Sequence, residues 1–149
     1  MYRATDIAKY IIQKYYSEGR TVSNLKLQKL LYFVQAEFLV SKDEPCFREK
    51  IEAWDFGPVV PEVYREFKIF GGANIPVFGK PLRYGYIEES DKKLIDGILD
   101  DCAPYSAAAL VEITHHQSPW KEAYYEKGGK NNEITTKSIK EYFSRDKNV

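Results

Sequence analysis

The side chains that most often perform chemistry are sparse and scattered in this sequence. The two histidines are His115 and His116, and the two cysteines are Cys46 and Cys102. The side chains of neighbouring helical residues point about 100° apart, so the two histidines cannot readily coordinate the same metal ion. The cysteines form no CxxC pair and are too few for a disulfide framework, which favours free thiols in a reducing compartment. We therefore expect no metal site.

No catalytic motif accompanies these residues. A nucleophile–base pair made from a cysteine and His115 lacks local support, because the sequence contains no nucleophile elbow such as GxSxG. The adjacent acids at 88–89 and 100–101 are typical of solvated helix faces, and the glycine pairs lack the spacing of phosphate-binding loops. We expect no catalytic or cofactor-binding residue, although an enzyme of unrecognised chemistry stays open as an alternative.

Length and charge narrow the class of protein further. The 149 residues are the usual size of one domain, which we expect to span 1–149. Lys and Arg number 22, as do Asp and Glu, and the two signs are interspersed, which argues against a nucleic-acid partner. The start lacks the apolar region of a signal peptide, and the densest apolar run, Leu30–Val34, is far too short to span a bilayer. These features predict a cytoplasmic protein with no membrane association.

The second predicted helix is the best candidate for the centre of the fold. Ser23 or Asn24 caps it, and it runs to about Val40. Its apolar residues surround the helix, and only a few polar ones interrupt them, at Gln28, Lys29, Gln35 and Glu37. A helix that is apolar nearly all round is a buried one. The same segment could open a DNA-reading helix-turn-helix, but a recognition helix must keep one face for the groove.

Other patterns predict the elements that pack on this helix. Ile51–Phe56 reads as a strand followed by a turn at Gly57 and Pro58, and residues 75–87 read as one or two partner strands. Five further helices have start signals, which lie at Thr5, Pro61, Ser90, Ser106 and Ser118, and a last one opens at Thr135 or Thr136. Glycines follow several of them, at Gly19, at 71–72 and at 128–129. Residues 144–149 read as a frayed tail. The fold class is mainly α (α+β), with six to seven helices around a buried central helix and a small antiparallel β element.

Three segments, taken in order, carry a resemblance to a known family. They are LQKLLYFVQAEFL at 27–39, IEAWDFGPVVPEVYREFKIFG at 51–71 and LVEITHHQSPWKEAY at 110–124, followed by ITTKSIKEYF at 134–143. Together they resemble the Panacea domain, also called SocA-like or GepA-like, of antitoxins and prophage proteins. The resemblance implies a non-catalytic interaction domain that neutralises a toxin encoded nearby by direct binding.

The resemblance also marks a set of motif residues. They are Trp54, Phe56, Gly57, Pro58, Pro61, Tyr64, His115, Pro119 and Trp120. We interpret them first as scaffold, because the glycine and prolines shape a turn and the tryptophans pack. Partner contact is the second interpretation, since exposed aromatic residues anchor many interfaces. The alternatives of a mobile-element accessory enzyme and a DNA-binding regulator stay open, as does self-association.

Overall fold

The computed structural model describes residues 1–126 and 131–147. In this part of the chain, the structure contains seven α-helices and a sheet of three short strands. The helices are α1 (Ala4–Ser17), α2 (Asn24–Lys42), α3 (Pro61–Phe67), α4 (Glu89–Cys102), α5 (Ala107–His115), α6 (Ser118–Lys121) and α7 (Thr136–Lys147). The strands are β1 (Ile51–Trp54), β2 (Gly57–Val59) and β3 (Asn132–Ile134). A 3-10 turn at Lys68–Phe70 follows α3, and a π-helical turn at Glu122–Glu126 follows α6. This architecture confirms the predicted fold class.

Helix α2 lies at the centre, as its apolar pattern predicts. It contacts α1, α3, α4, α5, α7 and β2. One stripe of its apolar residues is buried along its whole length, at Leu27, Leu30, Leu31, Val34 and Phe38. Ser23 caps the helix, because its hydroxyl accepts a hydrogen bond from the Lys26 amide at 3.2 Å. The core therefore forms around α2 rather than between two separate layers.

Three of the four polar residues that interrupt the apolar ring of α2 are buried. Gln28, Lys29 and Gln35 are all at most 1% exposed. Gln35, for example, accepts hydrogen bonds from the Cys46 and Phe47 amides at 2.8 and 3.2 Å. A buried polar side chain is stable only when it finds such partners. These residues thus fasten non-helical segments of the chain to the central helix.

The sheet differs from the predicted one in two respects. The first strand ends at Trp54, and Asp55 and Phe56 form a two-residue turn, so the predicted turn at Gly57 and Pro58 is wrong: both residues belong to β2. Pro58 has no N–H to donate, and it is tolerated because β2 is an edge strand. The strand order is β2-β1-β3, with both pairs antiparallel.

The third strand also comes from an unexpected part of the chain. Residues 75–87 contain no strand, contrary to the prediction, and β3 pairs with β1 instead, with Ile134 opposite Ile51. Only Ile75 and Ile87, at the two ends of the irregular segment, are buried. Three-residue β3 is too short to show periodicity, so its pairing is decided by packing against the π-helical turn and β1.

Helix boundaries follow the predicted start signals closely but not always to the residue. Ser106 caps α5 through a 3.1 Å bond from the Ala109 amide, as predicted. The caps of α1, α4 and α6 lie one or two residues earlier than expected, at Arg3, Glu88 and Gln117. Helix α7 continues to Lys147, through most of the predicted tail. The predicted stop at 128–129 lies outside the described residues, as do residues 148–149.

Candidate interaction surface around the β1–β2 turn

The motif residues from distant parts of the sequence converge on the β1–β2 hairpin. Its turn consists of Asp55 and Phe56, and the Phe56 side chain is 65% exposed. The chain just before the turn contacts the α5–α6 region, and the chain just after it lies on α2. The turn thus presents a large apolar side chain to solvent at the point where the motif residues meet.

Three side chains from the α5–α6 region hold the first half of the turn. The Trp120 indole donates a hydrogen bond to the Trp54 carbonyl at 2.8 Å. The His115 Nε2 lies 2.8 Å from the Asp55 carbonyl, so this nitrogen carries the donated proton. The Tyr124 hydroxyl donates to the Asp55 carboxylate. These contacts tie a segment near residue 120 to one that lies 60 to 69 residues earlier.

The same side chains form a continuous aromatic stack. The His115 and Trp120 rings lie 4.2 Å apart, and Trp120 and Tyr124 stack at 4.5 Å with only 18° between their planes. Tyr125 packs edge-on against Trp120 and Tyr124 and is itself 68% exposed. The hydrogen bond to Asp55 raises the pKa of Tyr124, so its hydroxyl keeps its proton. The stack therefore joins the buried Trp120 to an exposed aromatic surface.

The other side of the hairpin carries a second aromatic pair. Trp54 and Tyr64 meet edge-to-face at 4.9 Å, and both are half-buried. The Trp54 indole donates to the Glu52 carboxylate at 2.9 Å. Pro61 occupies the first turn of α3, which positions Tyr64, and this agrees with the predicted helix start. Trp54 is thus held at its backbone carbonyl by Trp120 and at its ring by Tyr64.

Side chains of helix α2 bond to the backbone of the second half of the hairpin and of the residue that follows it. The Lys29 Nζ donates to the Pro58 carbonyl at 2.8 Å, and the Gln28 side-chain oxygen accepts from the Val60 amide at 2.9 Å. Asn24 in turn accepts from Gln28 at 2.9 Å and donates to the Tyr64 carbonyl at 3.1 Å. Asn24, Gln28 and Lys29 thus all bond to this part of the chain, directly to its backbone.

Gly57 is required where the hairpin approaches α2 most closely. Its φ is +102°, a conformation that side chains rarely adopt. A Cβ atom there would lie 2.8 Å from both the Lys29 Cε and the Thr114 hydroxyl oxygen. The predicted role of Gly57 in a tight turn is thus replaced by another: it allows a strand to lie against a buried lysine.

The structure sorts the predicted motif residues into three groups. Gly57, Pro58, Pro119 and Trp120 are buried; Trp54, Pro61, Tyr64 and His115 are half-buried; and Phe56 is exposed. Sequence reasoning did not select Asp55, Tyr124 or Lys29, which complete the arrangement. A lysine and a glutamine inside an otherwise apolar helix were the available signal for the last of these.

The contacts of these residues do not resemble a catalytic arrangement. His115 is engaged by a backbone carbonyl and a tryptophan ring. Cys46 and Cys102 are buried free thiols, and burial raises the pKa of Cys102 to about 11, which disfavours the reactive thiolate. Within residues 1–126 and 131–147, no three His, Cys, Asp or Glu side chains are grouped to hold a metal ion. What the hairpin offers is a fixed aromatic surface.

Comparison with known proteins assigns this arrangement to a class. A family model described as "Antitoxin SocA-like, Panacea domain" matches residues 27–121, which include α2, the hairpin and the Trp120 segment. The chain belongs to this family. A curated relative, antitoxin SocA of Caulobacter vibrioides (strain NA1000 / CB15N), is 34% identical over 131 residues, covering 78% of this chain and 68% of the relative. No solved structure matches the chain.

Over the described ranges, none of the helices is both long enough and apolar enough to cross a bilayer.

Proposed function

We propose that this protein is an antitoxin that neutralises a toxin encoded nearby by binding it directly. The observation that carries the proposal is the exposed Phe56, presented by a turn whose neighbouring backbone carbonyls are held by Trp120, His115 and Lys29. The family relationship supplies the class of activity, and the hairpin supplies a surface suited to it. The contact surface in this proposal is centred on Phe56 and Tyr125.

The physical argument rests on preorganisation. An inhibitor that blocks its target in the cell needs tight binding, and a nanomolar complex corresponds to about −12 kcal/mol. Such affinity usually depends on a few aromatic or arginine anchors. An anchor that is already fixed in space loses little freedom on binding, so more of its burial energy contributes to affinity. Phe56 combines exposure with a rigid support.

A protein partner fits the structure better than DNA does. Asn24, Gln28 and Lys29 lie at the start of α2, where a helix-turn-helix would read bases, but they are buried and bonded to the hairpin and α3 instead. Direct binding also requires no catalytic group, so the proposed activity is non-enzymatic. We further propose that the family domain extends beyond 27–121 to the whole chain, because α1 and α7 pack on the same central helix, and that the protein acts in the cytoplasm.

The test compares two exposed phenylalanines. The toxin gene beside this one is co-expressed with wild-type protein, with Phe56→Ala or with Phe78→Ala, whose side chain is 82% exposed and lies outside the motifs. Wild type and Phe78→Ala are expected to restore growth and to co-purify with the toxin. Phe56→Ala is expected to weaken binding at least about thirtyfold, corresponding to an anchor contributing roughly 2 kcal/mol. Both variants should melt within a degree or two of wild type.

Several outcomes would contradict the proposal. The adjacent gene product could be harmless when expressed alone, or the two purified proteins could fail to associate at micromolar concentration. Rescue of growth without a complex would point instead to a catalytic or transcriptional mechanism. Equal affinity of Phe56→Ala and wild type would leave the antitoxin role standing but would place the contact surface elsewhere.

A further inference from the structure

Lys29 is an unusual residue for the centre of a domain. Its side chain is 0% exposed, and its Nζ donates to the Pro58 carbonyl at 2.8 Å. Lysine is almost never fully buried unless a carboxylate accompanies it. The partner here is a backbone carbonyl of the hairpin that carries Phe56. Burial of a lysine amine is unfavourable, and this amine bonds to the hairpin that forms the candidate surface. We therefore look for its role in that surface.

The surroundings of Lys29 favour an uncharged amine. The Lys29 side chain lies beside Gly57 and Pro58 of β2 and near the Thr114 hydroxyl of α5. All three of these neighbours are uncharged. Its α2 neighbour Gln28 is also neutral, and the titratable group that follows on α5, His115, is bonded to the Asp55 carbonyl. Burial alone lowers the pKa of Lys29 to about 7, with no contribution from a nearby charge.

We propose that Lys29 is a positioning residue for the interaction surface: its uncharged amine holds the Pro58 carbonyl and thereby fixes the direction in which the turn presents Phe56. A proton added to this amine creates a buried charge without a counterion. The charge is relieved when the hairpin moves away from α2 and water reaches the Nζ. The hairpin is therefore most firmly docked above neutral pH and loosens below it.

This inference rests on the proposed function only for its consequence in toxin binding; the positioning itself is a property of the free protein. The experiment therefore begins with free protein and nuclear magnetic resonance. The Lys29 Nζ and the backbone amides of the hairpin are followed from pH 6 to pH 9. We expect Lys29 to titrate with a midpoint near its pKa of about 7, and the hairpin amides to shift with the same midpoint.

Three variants separate Lys29 from its neighbours. Lys29→Met has a similar length but cannot donate or titrate, and it should abolish the shared transition of the hairpin amides. Lys26→Met is the matched control, because Lys26 lies on the same helix and donates to the Tyr105 carbonyl at 2.7 Å, away from the hairpin. It should leave the transition unchanged. His115→Gln removes the other titratable group beside the hairpin. It can shift the hairpin amides, because His115 bonds to the Asp55 carbonyl, but the midpoint of their transition should remain that of Lys29.

The results that overturn the inference are distinct. A Lys29 midpoint close to the ordinary value of 10.5, or a hairpin transition that disappears in His115→Gln, would overturn it. If Lys29→Met does not fold, the titrations of wild type and His115→Gln decide between the same outcomes.

In toxin binding, Lys29→Met should lose at least tenfold in affinity and Lys26→Met should lose none; equal affinities would refute the role of Lys29 in presenting Phe56. Absence of any wild-type complex would refute the proposed function and leave the free-protein result standing.

Discussion

Trp120 donates its indole N–H to the backbone carbonyl of Trp54 at 2.8 Å, and its ring is only 3% exposed. One tryptophan thus fixes the strand that contains the other. The bond also links the two most distinctive motifs of the sequence, so the segment around residue 120 is part of the hairpin's support.

Trp120→Phe should weaken this support without emptying the core. The phenylalanine keeps an aromatic ring in the stack but leaves the Trp54 carbonyl without its donor. We expect a loss of roughly 1–3 kcal/mol in the free energy of unfolding, measured by denaturant titration. Trp54→Phe is the comparison, because the Trp54 indole bonds to the Glu52 side chain near the surface. We expect it to lower the free energy of unfolding by less than Trp120→Phe does, and a larger decrease would contradict the role assigned to the Trp120 indole.

Gly57→Ala should be among the most damaging single-methyl substitutions. The φ of +102° adds backbone strain of roughly 1–3 kcal/mol, and the clash with Lys29 and Thr114 adds roughly 1–3 kcal/mol of overpacking. Gly19→Ala separates the two effects, because Gly19 also has a positive φ, +75°, but has no atom within 4 Å of the added Cβ. Equal melting temperatures of the two variants would show that the close approach at Gly57 is absent.

Leu31 tests the central position of α2. Its side chain is 0% exposed. Leu31→Ala should cost about 2–5 kcal/mol, out of a typical total of roughly 5–15 kcal/mol. Leu31→Asp should prevent soluble folding, because it buries a carboxylate with no partner. The measurement is the soluble fraction on expression, followed by thermal melting; a soluble Leu31→Asp protein that melts cooperatively would refute the placement.

The free energy of unfolding should rise between pH 7 and about 8.5. Burial lowers the pKa of Lys29 from 10.5 in the unfolded chain to about 7 in the folded one, so between these values the unfolded chain binds more protons. Raising the pH therefore favours the folded state, by roughly 1–2 kcal/mol over this window at about 1.36 kcal/mol per pH unit.

Denaturant titrations at constant salt check this pH dependence. Lys29→Met should show a flatter profile over the same window. The window ends before the thiols of the unfolded chain ionise near their ordinary pKa of 9.0, because the raised pKa of Cys46 and of Cys102 opposes the trend above that pH. A wild-type profile that falls from pH 7 to 8.5 would contradict the assignment.

The fold was predictable where local patterns decide the structure. The all-round apolar pattern of α2 and the serine caps at Ser23 and Ser106 depend on neighbours in the sequence, and the structure confirms them. The pairing of Ile51 with Ile134 spans most of the chain and leaves no local signal in a three-residue strand. Residues 75–87 contain β-forming side chains, but tertiary packing overrides that preference.

The site was predictable in its motifs but not in its assembly. The resemblance selected Trp54 and Trp120, yet nothing in the sequence states that one donates to the backbone of the other. In the sequence, Lys29 is one of several polar residues that interrupt an apolar helix, and lysine usually lies in solvent, so its type and position do not indicate burial. Only the folded structure shows that the Pro58 carbonyl accepts a hydrogen bond from the Lys29 amine.

Three of the side chains that hold the hairpin bond to its backbone carbonyls, and this affects how the specificity of the turn can change. The bonds from Trp120, His115 and Lys29 end on the carbonyls of residues 54, 55 and 58, and every residue type carries a carbonyl. Replacing Phe56 therefore leaves all three bonds in place. The tip of the turn can change its side chain while the scaffold is inherited intact. Under the proposed function, a change of toxin partner would thus require substitutions at the exposed tip and none in the core.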